Sequence, residues 1–324
     1  MEPATYKAIL ASLEEVSEQY LRATANTPAP AESWRRQRNL WQRVQSLSAW
    51  MPGISAERIE IDGHCIHYWR IGSGHGTPVV LVHGFGASKE NWLSMLPALY
   101  ARDTTIYVPD LPGFGQSDYR HGARYTYAEQ ARRLDEWSRR LALPAAQWVG
   151  SSMGGASLAT LAANHPDRVR NLVLMNAAGM GSARFSPLES QLLQGENPLI
   201  PARPGDTRAL FRMAVHRHQA LMSRLMPLAV GSEMRQRAPV NRQLFADMMQ
   251  PEERVPELLH RVSAPTQIIW GEQDQVVDVS CAHHYGALLP DAQVRVLRGI
   301  GHLPMLEAPL RSARIIRRFW KTRA

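Results

Sequence analysis

Residues 147–155 read Gln147-Trp148-Val149-Gly150-Ser151-Ser152-Met153-Gly154-Gly155, and an alanine- and leucine-rich run follows to residue 164. A short apolar run thus meets a glycine, a serine and two more glycines before a helix-forming segment. G-x-S-x-G between a strand and a helix is a sharp turn that lifts the serine hydroxyl above the sheet edge. The glycines are steric: the two backbones come too close for side chains on either flank. The helix start beneath the serine supplies free N–H groups and the positive end of the helix dipole. The pentapeptide alone is a weak signal, but its strand–turn–helix setting makes Ser152 the candidate nucleophile.

On both sides of this turn, apolar runs alternate with helical segments. The runs are 78–82, 105–108, 147–149, 169–175, 267–270 and 294–297, and residues 58–71 alternate around Asp62-Gly63 as a hairpin does. Short continuous runs separated by helices predict an α/β fold, a mostly parallel eight-stranded sheet with helices on both faces. The rhythm stops over 180–262, where Leu210, Phe211, Met213, Leu221, Met222, Leu225, Met226 and Leu228 lie in helical rather than strand patterns. The expected division is an N-terminal helical extension (1–56), a first core part (57–179), an inserted helical cap (180–262) and a second core part (263–324). In the extension, Tyr6, Ile9, Leu10, Leu13, Val16 and Tyr20 predict a helix over 4–21. Pro28 and Pro30 break it. A second helix is expected over 32–50, with Trp34, Leu40, Trp41, Val44, Leu47 and Met51 on one face and arginines on the other.

With 324 residues, 44% hydrophobic, the chain is too apolar for disorder. Two cysteines, Cys65 and Cys281, cannot build a disulfide framework and lack metal-ligand spacing, so neither metal nor cofactor is expected. No apolar stretch is long enough for a transmembrane helix. Glu14, Glu15 and Glu18 interrupt the N-terminus where a secretory signal would be apolar, and a cytoplasmic protein is expected. The net charge is +8, almost all from arginine, since lysine occurs only at 7, 89 and 321. Arginines crowd at 35, 36, 38 and 43 and again in the tail, at 311, 314, 317, 318 and 323. Such a surface attracts anions. No zinc-finger spacing or RNA-recognition signature accompanies it, so no nucleic-acid partner is expected. Gly72-Ser73-Gly74-His75-Gly76 resembles a phosphate loop, but no helix starts after it and a turn is expected.

A serine hydroxyl needs a base, and in this architecture the partners follow in the order acid, then histidine. Asp274 lies just beyond the run 267–270 and His302 just beyond 294–297. Both fall at C-terminal strand ends, the edge where open parallel sheets bind ligands. His64, His67, His165, His283 and His284 lack that placement. Glu272 and Asp278 compete with Asp274 for the acid role. The alternative acid position, after the run 169–175, holds Asn176, whose amide cannot stabilise an imidazolium as a carboxylate does. His83-Gly84-Phe85-Gly86 follows the run 78–82, and the backbone N–H groups of Phe85 and Met153 are the expected oxyanion hole.

Taken together, these residues resemble the α/β-hydrolase superfamily over roughly 57–324, and more finely the lipases and esterases that include monoacylglycerol lipases and cold-active bacterial lipases. The stretches that carry the resemblance are His83-Gly-Phe-Gly-Ala-Ser-Lys-Glu-Asn-Trp92, Pro109-Asp-Leu-Pro-Gly-Phe-Gly-Gln-Ser117, Ser151-Ser-Met-Gly-Gly155, Glu196-Asn-Pro-Leu-Ile200, Trp270-Gly-Glu-Gln-Asp-Gln-Val-Val277 and Gly301-His-Leu-Pro-Met-Leu-Glu307. The resemblance implies an α/β-hydrolase fold, a Ser152–His302–Asp274 triad and a small-molecule ester substrate of the medium-chain acyl or monoacylglycerol kind. Carbon–carbon bond hydrolases of aromatic degradation share the triad and are the runner-up; a non-catalytic hydrolase-fold binding protein is the third reading. Met213, Met222, Met226, Met248 and Met249 would give the cap an adaptable apolar interior. Residues 32–50 carry two readings: packing on the body or a second subunit, which is favoured, and peripheral membrane contact through Trp34, Trp41 and Trp50 with arginines meeting anionic lipid.

Overall fold

The computed structural model describes residues 1–34, 36, 39–48, 51–250 and 254–323. Its strands are β1 (Ile54–Ile61), β2 (His64–Ile71), β3 (Val79–Val82), β4 (Ile106–Pro109), β5 (Ala146–Ser151), β6 (Val169–Met175), β7 (Thr266–Gly271) and β8 (Ala292–Leu297). They form one sheet in the order β1-β2-β4-β3-β5-β6-β7-β8. The β1–β2 hairpin and the β2–β4 pair are antiparallel, and the other neighbours are parallel. The longer helices among the described residues are α1 (Pro3–Thr24), α2 (Leu40–Ser48), α3 (Tyr127–Arg140), α4 (Met153–Asn164), α5 (Pro187–Leu192), α6 (Asp206–Ala214), α7 (Gln219–Met248), α8 (Ser280–Leu288) and α9 (Pro309–Thr322).

The central strands are apolar on both faces, and their residues divide by the two-residue period of a strand. Val80, Val82, Trp148, Leu172, Leu174 and Ile268 enter the core shared with α3, α4 and α8. Val79, Leu81, Val149, Val173, Met175 and Ile269 enter the opposite core, closed by Trp92 and by Ile316, Phe319 and Trp320 of α9. This is the expected eight-stranded, mostly parallel sheet with helices on both faces. Between β6 and β7 the described chain is helical, in α5, α6 and the 30-residue α7, which carries Pro227 and Pro239 within it.

The N-terminal extension departs from expectation in its second half. Helix α1 matches its apolar spacing, with Ile9, Val16 and Tyr20 buried. Its side chains reach distant chain: Ser17 Oγ contacts Met249 Sδ at 3.9 Å, and Glu14 pairs with Arg254 at 2.7 Å. Helix α2 is shorter than the expected 32–50 and turned over. Gln45 is fully buried whereas Leu47 is 70% exposed and Leu40 is 55% exposed. Helix α2 meets polar groups there: Arg36, earlier in the same extension and itself paired with Glu233 at 2.7 Å, donates to Gln45 Oε1 at 2.8 Å, and Gln45 Nε2 donates to Glu90 at 3.0 Å. A leucine at this position would make neither bond, so the amide goes in and the leucines face out. Trp41 is half-buried and Trp34 donates to the Gln236 carbonyl at 3.3 Å. Arg35, Arg38 and Trp50 lie outside the described residues.

Candidate active site

β5 ends at Ser151 and α4 begins at Met153, so Ser152 alone makes the turn between them. Its backbone is in the left-handed region, φ 52° and ψ −120°. A non-glycine residue persists there only when its surroundings hold it. They do: the Ser152 N–H donates to Met175 of β6 at 3.0 Å, and the Ser152 carbonyl accepts from Ala156 at 3.1 Å and Ala178 at 3.0 Å. The neighbouring glycines are obligatory for space. A Cβ at Gly150 would come within 2.6 Å of the Gly154 carbonyl, and one at Gly154 would collide with the carbonyls of His83 and Val82.

Asp274, after β7, uses both carboxylate oxygens fully. Oδ1 accepts from the Val276 and Val277 amides at 2.7 and 3.0 Å. Oδ2 accepts from Asn176 Nδ2 at 2.6 Å and meets His302 Nδ1 at 2.8 Å. The competing acids are elsewhere. Glu272 is exposed and takes a bond from Gln273, while Asp278 accepts from Ser280 N near the start of α8 and pairs with Arg184. His302 is buried, and its own N–H donates to the Ala214 carbonyl at 2.8 Å, tying the loop after β8 to the end of α6. With Nδ1 facing the carboxylate, the ring's Nε2 is left for the cavity that His302 lines together with Ser152, Ser151 and Gly84.

The loop after β3, where the oxyanion hole is expected, is anchored from below. His83 is fully buried, its Nδ1 lies 2.8 Å from the Gly84 carbonyl, and its Nε2 accepts from Leu111 N at 3.0 Å. Burial holds its pKa below the ordinary histidine value. Lys89, also buried, donates to Asp110 Oδ2 at 2.6 Å and Gln116 at 2.7 Å, and Asp110 Oδ1 accepts from the Lys89 amide at 2.7 Å. Burial pushes the Asp110 carboxyl up, but Lys89, His83 and the Gln116 amide pull harder, leaving it below the usual range. Gly84 lies against the elbow: a Cβ there would stand 3.0 Å from Ser152 Cβ. Phe85 and Ser152 therefore share a wall, and the N–H groups of Phe85 and Met153 donate to no other group among the described residues.

Ser152, Phe85 and Leu199 separate two largely apolar cavities. One lies beneath α6 and α7, about 210 Å³, and takes His302, Trp41, Met222 and Met226 into its walls. The other, about 120 Å³, lies under α1 and takes Val16, Met153, Met248 and Met249. Of the methionines expected to line a cap interior, Met213 borders neither. Two residues of the site had no assigned part in the sequence reading. Asn176, considered there only as a substitute acid, instead donates to the acid. Glu307 accepts from the amides of Gly301 and Leu303, which flank His302, and from those of His216 and Arg217 between α6 and α7. The signal for Asn176 is its place at a C-terminal strand end beside Asp274's strand; for Glu307 it is its place five residues after His302.

Comparison with known proteins agrees with this architecture. A sequence model described as the alpha/beta hydrolase fold matches residues 77–309. Monoacylglycerol lipase abhd6-B of Xenopus laevis is 30% identical over 264 residues, 76% of this chain and 76% of that protein. Lipase 1 of Psychrobacter immobilis is 30% identical over 249 residues, 74% and 76% of the two chains. Among solved structures, a bacterial membrane phospholipase A superposes with a TM-score of 0.81 at 31% identity, over 88% of this chain and 91% of that one.

Proposed function

Because this chain belongs to the family with the α/β-hydrolase fold, we propose that it is a serine hydrolase cleaving carboxylic esters, of the medium-chain acyl or monoacylglycerol kind. The observation that carries the reading is the 2.8 Å bond between Asp274 Oδ2 and His302 Nδ1, which leaves the other ring nitrogen toward the cavity that Ser152 lines. Lipases and a monoacylglycerol lipase at 30% identity support the ester as substrate class.

In the proposed reaction, His302 Nε2 takes the Ser152 proton as Oγ bonds to the ester carbonyl carbon. Asp274 keeps the ring in the tautomer that leaves Nε2 a base and balances the imidazolium that forms. The carbonyl oxygen, now an anion, takes hydrogen bonds from the Phe85 and Met153 amides; such donors are each worth about two to three powers of ten in rate. The carbon–alkoxy bond breaks as the imidazolium protonates the departing alcohol. A water then gives its proton to His302 and its oxygen to the acyl carbon, and Ser152 leaves with that proton.

A fluorophosphonate probe tests the nucleophile. Wild-type protein is labelled and Ser152→Ala is not, and p-nitrophenyl esters are hydrolysed only by the former. Labelling that persists in the alanine variant overturns the assignment.

Contact with an anionic lipid surface is the second part of the proposal. Leu40, Val44 and Leu47 of α2 and Leu221, Leu225 and Leu228 of α7, two helices packed on one another, are exposed at i, i+4 and i+7 spacings. Exposed Arg43 and Arg224 lie among them. Trp34 and Trp41 do not supply this face, since Trp41 borders the cavity and Trp34 packs on Tyr119 and Arg237; Trp50 lies outside the described residues. No described helix is long and apolar enough to cross a membrane, so the contact would be peripheral. Flotation with anionic vesicles checks it: replacing Leu47 and Leu228 by glutamine is expected to lower the bound fraction several-fold, and unchanged flotation removes this part.

A further inference from the structure

The proposed hydrolysis assigns Ser152, Asp274, His302 and two amides, but says nothing of the cavity beneath α1, which His302 does not border. That asymmetry has a chemical meaning. The imidazole must hand its proton to the leaving oxygen, so the alcohol sits on the His302 side of the serine. The acyl chain, attached to the same carbon, is directed away from the imidazole. On that side the space is walled by Val16 and Leu13 of α1, Leu188 and Leu192 of α5, and Met248 and Met249 at the end of α7. Methionine and leucine side chains suit a flexible chain without polar demands.

We propose that α1 forms one wall of the acyl-chain site, so that the N-terminal extension, which lies outside the hydrolase core, selects the acyl length of the ester. The substrate class is an ester of an unbranched fatty acid, with the alcohol toward the cap and the hydrocarbon toward α1. The inference rests on the serine-hydrolase reading. Helix α1 is held against the cavity by residues that line it, where Glu14 pairs with Arg254 at 2.7 Å and Ser17 touches Met249. Val16 is buried between these ties and faces the same space as Ser152.

The experiment compares full-length wild type, Val16→Phe and Val16→Ala on two ester series. One varies the acyl chain from butanoate to dodecanoate on p-nitrophenol; the other varies the alcohol from butanol to dodecanol on acetate. The readout is the ratio of kcat/KM for the longest and shortest member of each series, so a general loss of folded protein cancels. Val16→Phe is expected to lower the acyl ratio at least tenfold and Val16→Ala to raise the longest chain accepted, with the alcohol ratio moved by neither. A purely structural role would shift neither ratio, and that result overturns the proposal. So does a change in the alcohol ratio instead of the acyl ratio, which would reverse the two subsites. Fluorophosphonate labelling run in parallel separates the two failures: labelled wild type with unmoved ratios rejects only the α1 wall, whereas wild type that neither labels nor turns over rejects the hydrolase reading and the wall with it.

Discussion

Asn176 Nδ2 donates to Asp274 Oδ2 at 2.6 Å, the same oxygen that meets His302 Nδ1. One carboxylate oxygen is thus held between an amide from β6's end and the imidazole. Asn176 is itself in a left-handed conformation, φ 46°, and its N–H donates to Ile269 of β7 at 3.0 Å, so its side chain is aimed by two strands. A hydrogen bond to a charged group contributes about 1.5–3 kcal/mol. Asn176→Ala is expected to lower kcat on a short ester about 10- to 100-fold with little change in KM. Asn176→Asp should be worse, because it sets a second negative charge against Asp274. Steady-state kinetics of the two variants check this; an aspartate variant more active than the alanine one would contradict it.

Glu307 joins the histidine loop to the α6–α7 connection through four backbone amides, at 2.7 Å from Arg217, 2.9 Å from His216, 3.0 Å from Gly301 and 3.3 Å from Leu303. A carboxylate accepts from all four, whereas a glutamine must turn a donor toward some of them. Displacing His302 by about 1 Å costs on the order of 100-fold in rate. Glu307→Gln should therefore lose one to two powers of ten in kcat while circular dichroism stays native.

The buried Lys89–Asp110 pair makes a stability prediction. Removing one partner leaves an uncompensated buried charge, which typically costs about 3–5 kcal/mol. Lys89→Met is expected to lose that much in chemical denaturation. Joining it to Asp110→Asn should recover part of the loss, and a double variant as unstable as the sum of the singles would show that the charges do not interact.

His83 supplies the pH dependence. Its Nε2 already accepts from the Leu111 amide, so the folded protein has no place for a second ring proton. Burial keeps its folded pKa below the ordinary value of about 6.5, and the same cause acts on His64 and His67. The unfolded chain therefore binds more protons as pH falls. Stability from these groups is complete above pH of about 6.5 and is lost as pH drops toward their folded pKa values, at up to about 1.4 kcal/mol per pH unit for each. Urea unfolding midpoints should be level between pH 8 and 7 and decline toward pH 5. In His83→Asn the decline should be shallower by about one proton.

The sheet is readable because it depends on local pattern, apolar runs alternating with helical segments. The candidate residues Ser152, Asp274 and His302 are legible in the same way, each in a turn at the C-terminal end of such a run, and His302 Nδ1 meets Asp274 rather than Glu272 or Asp278. Helix α2 was misjudged because periodicity reports only that a helix has two faces. Which face turns inward depends on what surrounds it, here Arg36 of the same extension and Glu90 of the body around Gln45. The partner of α1 was equally hidden. Ile9, Val16 and Tyr20 announce a buried stripe, but any apolar surface would satisfy it. Asn176 occupies the alternative acid position, and the sequence excludes it as an acid without revealing that its amide donates to Asp274.

The Ser17–Met249 contact joins residues 232 positions apart. During synthesis α1 emerges well before the end of α7 and Arg254, which complete its seat. Until then its apolar stripe is only partly covered, by α5 and the chain around Asn197, and closing so long a loop is slow. Biogenesis of this chain should accordingly be most vulnerable to aggregation while α1 waits for that partner, and a holdase chaperone that shields α1 would protect the whole.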